Sequence, residues 1–277
     1  MKRTFLLLIG MIFVSSVIAA ENQKKKIGPK VWEPTPFTLG SDHLPAGYTG
    51  LDSKKFFTLF KAKVHDLEKG EFETTEEFEQ RIADKENLLS PIKTSDLYAF
   101  RMSGHVSKKY AADTQEYMLG SIQSCLASGR SAPNWVTCEI AEIIHDESYV
   151  GSNAYGATTT VTRRRGNRLA LAIKKDNSLL NSVLVGSYGY YDYQDRLPVN
   201  LEKARKLKSE EFSVLFVGSI SHTQIIEGQT VYGAPTIDDP TDVLITVEGI
   251  PFDLKAIIVY VSKTGEIIGQ KNILPSR

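Results

Sequence analysis

The chain is poor in the residues that build covalent and metal chemistry. Its 277 residues include only two cysteines, two tryptophans and five histidines. His43, His65, His105, His145 and His222 stand apart, with no HExxH, HxH or mixed His/Cys cluster. No histidine or further cysteine lies at ligand spacing from Cys125 or Cys138, so no metal site is expected. No GxSxG nucleophile elbow occurs, and Gly186-Ser187-Tyr188-Gly189 lacks the third glycine and the βαβ setting of a dinucleotide site. No cofactor is therefore expected. An excess of one charge is missing too. Lys and Arg number 33 and so do Asp and Glu, a formal net charge of zero that argues against a dedicated nucleic-acid binder. Long apolar runs are absent after residue 20, which excludes a later membrane-spanning helix.

What is present begins with the compartment. Lys2 and Arg3 precede an apolar run over residues 5–14, and Val17-Ile18-Ala19-Ala20 supplies small residues. This order predicts a secretory signal peptide cleaved near Ala20, in preference to a membrane anchor, because the run is short for a span. The mature product is then periplasmic or secreted, and slightly acidic once Lys2 and Arg3 are gone. In an oxidising compartment an even cysteine count favours a disulfide, here Cys125 with Cys138. Gly129, Pro133 and Asn134 between them predict a turn that sets the two cysteines opposite each other.

Four segments are expected. Residues 1–20 are the signal. Residues 21–50 form a Pro/Gly-rich extended arm opened by Lys24-Lys25-Lys26. Residues 51–92 form a helical hairpin. Phe56, Phe57, Leu59, Phe60, Val64 and Leu67 recur at helical steps behind Asp52, and a second helix starts at Thr74 and stops before Pro91. Residues 93–277 alternate with period two and read as strands, possibly in one domain with the hairpin. The predicted class is α+β, an N-terminal helical hairpin followed by a mainly antiparallel sheet.

The stretch Gly70-Glu71-Phe72-Glu73-Thr74, continued by Phe78 and Arg81, resembles a GEFET…F…R signature of uncharacterised bacterial exported proteins. Tyr149-Val150-Gly151-Ser152-Asn153-Ala154-Tyr155-Gly156 is similar to that group as well. The resemblance implies bacterial origin and export, with no known activity. Packing and capping account for the motif itself. Phe72 is expected to plug the hairpin, Glu73 or Thr74 to cap the second helix, and Arg81 to pair with Glu77 at i, i+4.

Two clusters suggest partner binding. Tyr188, Tyr190, Tyr191 and Tyr193 suit protein or glycan recognition, unless alternate rings pack inward. Arg163, Arg164, Arg165 and Arg168 are expected at a hairpin tip, where they would engage anions or guard a strand edge. Asp238-Asp239-Pro240-Thr241-Asp242 reads as a solvated turn rather than a cation site. The functional expectation is a non-catalytic binding or accessory module of the cell envelope, facing another envelope protein or a glycan. A hydrolase with a dispersed site, or a secreted effector or immunity-type partner, is the alternative.

Overall fold

Strands, not a helical hairpin, organise the chain. The computed structural model describes residues 32–83, 85–128, 132–187 and 189–273; the expected signal and the start of the arm lie outside them. Among these residues α1 spans Ser53–His65, α2 Thr75–Ile82, α3 Lys85–Leu89, α4 Ser178–Asn181 and α5 Leu201–Lys206. The strands are β1 Tyr98–Arg101, β2 Ser107–Ala111, β3 Glu116–Ala127, β4 Trp135–Ser152, β5 Thr158–Lys174, β6 Leu184–Ser187, β7 Tyr190–Pro198, β8 Phe212–Ile220, β9 Ile226–Glu227, β10 Val231–Gly233, β11 Thr241–Val261 and β12 Ile267–Asn272. Strands hold 47% of the chain and helices 15%, so the fold is a large mixed β-sheet and the α+β expectation is corrected.

β11 is the seam of the sheet. Its first half runs parallel to β5, from Thr241 beside Thr162 to Pro251 beside Ala172. Its second half runs antiparallel to β8 and, on the opposite edge, to β12. Pro251 sits where one ladder hands over to the other. It has no N–H to donate, so a break in the ladder costs least there. The resulting order is β1-β8-β11-β5-β4-β3-β7-β6. Every other strand pairing among the described residues is antiparallel, so what departs from the expected sheet, besides the absent hairpin, is this one parallel pair. Its two strands are far apart in sequence, and period-two alternation carries no direction.

The hairpin over 51–92 does not form. Asp52 caps α1, accepting from Lys55 N at 3.0 Å. The helix buries Phe56, Phe57, Phe60 and Val64, and it packs on β4, β5 and α3. The Phe56 ring lies 5.0 Å from that of Tyr98 and 5.1 Å from that of Phe100. α2 buries no residue. The sheet offers α1 an aromatic face, whereas α2 offers only the half-buried Phe78 and Ile82. The larger apolar contact wins.

The GEFET segment is corrected in the same way. Phe72 plugs nothing; it is 94% exposed. Arg81 pairs with Glu73 rather than Glu77, through Nε to Oε1 at 2.7 Å and Nη2 to Oε2 at 2.8 Å. It also donates to the carbonyl oxygens of Asp66 and Glu68. Glu77 is occupied by the capping box with Thr74. The Arg81 guanidinium, helped by Gly70 N–H, holds the Glu73 carboxyl down to about 2. Arg81 thus fixes the whole α1–α2 connection. Arg81→Ala should speed amide exchange across residues 66–74, with little change in melting temperature. Unchanged protection there would show that the connection is held by something else.

Residues 33–50 are a strap rather than a free arm. Leu44 is buried with Ala99, Leu215, Val217, Ala256, Ile258 and Tyr260. Phe37 N donates to Leu97 O at 2.7 Å and Leu44 N to Gly265 O at 2.8 Å. The Tyr260 hydroxyl donates to Tyr48 O at 2.6 Å. Gly265, at φ +83°, turns β11 into β12, and a Cβ there would stand 2.1 Å from Leu44 O. Only glycine allows both the turn and the strap.

Cys125 and Cys138 face each other across β3 and β4 and form a buried disulfide. Among the described residues no helix is long and apolar enough to cross a membrane.

Candidate functional site

β4 and β5 pair from Trp135 beside Lys174 out to Ser152 beside Thr158, making a long ribbon. The arginines do not sit at its tip. The tip is residues 153–157, where the Asn153 side chain accepts from Tyr155 N and Ala157 N at 3.0 Å each. Asparagine side chains close turns in this manner, so the arginine run continues straight through β5.

All four arginines face carboxylates. Arg164 forms a fork with Asp146 at 3.0 and 2.8 Å. Arg165 reaches Asp242 Oδ2 at 2.7 Å and the Asp242 carbonyl oxygen at 2.8 Å. Arg163 lies 3.6 Å from Asp242 and stacks over Tyr149 at 4.7 Å. Arg168 lies 3.5 Å from Glu139. Arg164 holds the Asp146 carboxyl below its usual value, and Arg165, with Arg163, does so for Asp242. Burial pushes Glu139 up, opposed by Arg168. Arg164 and Arg165 are thus hydrogen-bonded from strand to strand, whereas Arg163 and Arg168 make only the longer ion pairs, and the buried Nε of each has no hydrogen-bond partner among the described residues. Asp242 belongs to this network. Asp239 closes a turn with Thr236, and among the described residues no group of three or more His, Cys, Asp or Glu is placed to hold a metal ion.

The tyrosine cluster divides. Tyr188 lies outside the described residues. Tyr190 is 48% exposed and Tyr191 half-buried, while Tyr193 is fully buried. The Tyr193 hydroxyl donates to Asp195 Oδ2 at 3.3 Å, and Lys271 donates to the same carboxylate. Burial pushes the Tyr193 phenol up. Period two along β7 sends Tyr193 inward, so it is a core residue and no partner contact.

Two other places stand out. The first is a groove of about 970 Å3 between α1 and the root of the ribbon. The register of β4, β5 and β11 puts Ile143, Asn167 and Glu248 on the face toward α1. Glu248 accepts from Lys61 Nζ at 2.6 Å and Asn167 Nδ2 at 2.8 Å. His65 Nδ1 lies 3.1 Å from Glu68 Oε2. Leu67, Leu169 and Ile225 add apolar wall.

The second is the ribbon end. A cavity of about 540 Å3 there is lined by Tyr149, Val150, Val161, Pro235 and Ile237. Val150 is 74% exposed, Tyr155 96% and Ile237 77%. Two uncharged stretches converge on it, residues 148–162 and 228–237. The missing charges were a readable signal, but only the parallel β5–β11 pair brings the two stretches together.

No protein-family model, curated protein or solved structure matches the chain, so its function is argued from this geometry.

Proposed function

We propose that the chain is an exported, non-catalytic binding module of the bacterial cell envelope, released by cleavage near Ala20 and grouped with the exported proteins whose GEFET…F…R signature it resembles. Its recognition element is the end of the β4–β5 ribbon, and its partner is another envelope protein. One observation carries this reading: a cavity with no charged residue in its lining, around which Val150, Ile237 and the tip residue Tyr155 stand in water. A patch of this kind is normally covered by a partner. Covering Val150 and Ile237 would gain about 1.5–3 kcal/mol each, less the cost of ordering. Tyr155 adds a rigid aromatic anchor. The disulfide supports export.

The test is in-cell photocrosslinking from a benzoylphenylalanine placed at Tyr155, with one at Lys263 as control. The Tyr155 probe should give a defined protein adduct that Val150→Asp with Ile237→Asp abolishes. Equal adducts from both positions, or none, would overturn the reading. The secreted form should begin at Glu21.

A further inference from the structure

The groove at the root of the ribbon is a different place from the ribbon end, and its chemistry points to a ligand class. Its floor is apolar, with Phe57, Leu67, Ile143 and Ile225. Its volume of about 970 Å3 lies at the top of the usual range for ligand pockets, roughly 300–1,000 Å3. Its charged lining is mainly carboxylate: Glu68, Glu227 and Glu248 against Lys61. Lys61 is already paired with Glu248. Glu227 makes no ion pair among the described residues, although it neighbours Glu248 across β9 and β11.

The segment that follows Glu68 in sequence is acidic as well. Residues 66–81 carry seven acids and two bases, a local charge of −5 in a chain whose total is zero. Arg81 fixes this segment through Glu73 and the carbonyls of Asp66 and Glu68. Of this segment, Leu67 and Glu68 line the groove itself. Phe72 stands exposed among the acids of the segment.

From the apolar floor flanked by Glu68 and Glu227, we infer that the groove binds a cationic amphipathic peptide segment of a partner protein. Leucine-like side chains enter beside Ile143 and Leu67, and lysines or arginines meet Glu68 and Glu227. These carboxylates disfavour nucleic acid and anionic lipid, and they favour a basic segment at the site. A small ion alone would leave the apolar floor unused.

The test is fluorescence anisotropy with three short labelled probes of equal length: a leucine–lysine amphipathic peptide, its leucine–glutamate counterpart and a lysine-only peptide. The leucine–lysine probe should bind one to one, and added salt should weaken it. Glu68→Lys with Glu227→Lys should weaken it at least about tenfold. Ile143→Asp should do the same while circular dichroism shows a folded protein. The ribbon-end variant Val150→Asp with Ile237→Asp should bind the probe as wild type does, so the two sites fail or succeed separately. Equal binding of the leucine–glutamate probe would reduce the groove to a greasy surface. Equal binding of the lysine-only probe would reduce it to an acidic one. Either result, no binding, or full affinity in the charge-reversed variant overturns the inference.

Discussion

Phe56→Ala should cost about 3–5 kcal/mol of folding stability, as aromatic truncations in packed cores do. Phe72→Ala should stay within about 0.5 kcal/mol. Both residues are phenylalanines of the α1–α2 region, so the contrast isolates burial. Phe56 has no exposed surface and Phe72 is 94% exposed. The Phe56 ring meets Tyr98, Phe100 and Phe60 at centroid distances of 5.0, 5.1 and 6.5 Å, and Phe100 in turn meets Phe252 at 5.8 Å. The floor of that cluster is β-sheet, which collapses into a cavity poorly because β1 is held by its ladder to β8 on one side and by the Gly50–Phe100 bridge on the other. The cavity share of the loss should therefore be large. Denaturant titration measures this as a lower midpoint at unchanged slope. Equal losses from the two substitutions would mean that Phe72 is buried and that α1 packs on α2 after all.

Cys125→Ala with Cys138→Ala should cost about 3 kcal/mol, the loop-closure value for a separation of 13 residues. For a chain of this size that is a drop of roughly 6–12 °C in melting temperature. The cause lies in the unfolded chain, which regains the conformations that the cross-link forbids. A reductant should therefore lower the melting temperature of the wild type by a similar amount and leave the double variant unmoved. A wild type indifferent to strong reductant would show that the thiols are not joined under the assay conditions. The result also bears on the compartment, because such a bond persists only where thiols are not kept reduced.

The strands were legible wherever one face is buried and the other wet. β3 and β4 around the cysteines show this. Local capping was legible as well, because Asp52 and Thr74 act on backbone N–H groups three residues away. The arginine run was misplaced for a physical reason. Charges and a glycine in sequence suggest a turn, but the arginine side chains lie part-exposed along β5 and face Asp146, Asp242 and Glu139 on neighbouring strands. Neither the groove nor the ribbon end was visible as a site. Each needs residues from segments separated by dozens of positions, such as Lys61 with Glu248, or Val150 with Ile237.

The amino-acid sequence by itself determined what is local or arithmetical: two cysteines with one possible pairing, helix caps, strand periodicity, and the absence of catalytic and metal motifs. Tertiary structure decided which surface each apolar stripe covers. α1 turned from α2 to the sheet because the sheet presented more apolar area, and that choice left Phe72 and most of the acidic segment around it exposed. It also decided strand direction, since period two is the same for parallel and antiparallel neighbours. The parallel pairing of β5 with β11 then carried two uncharged stretches to one end of the ribbon.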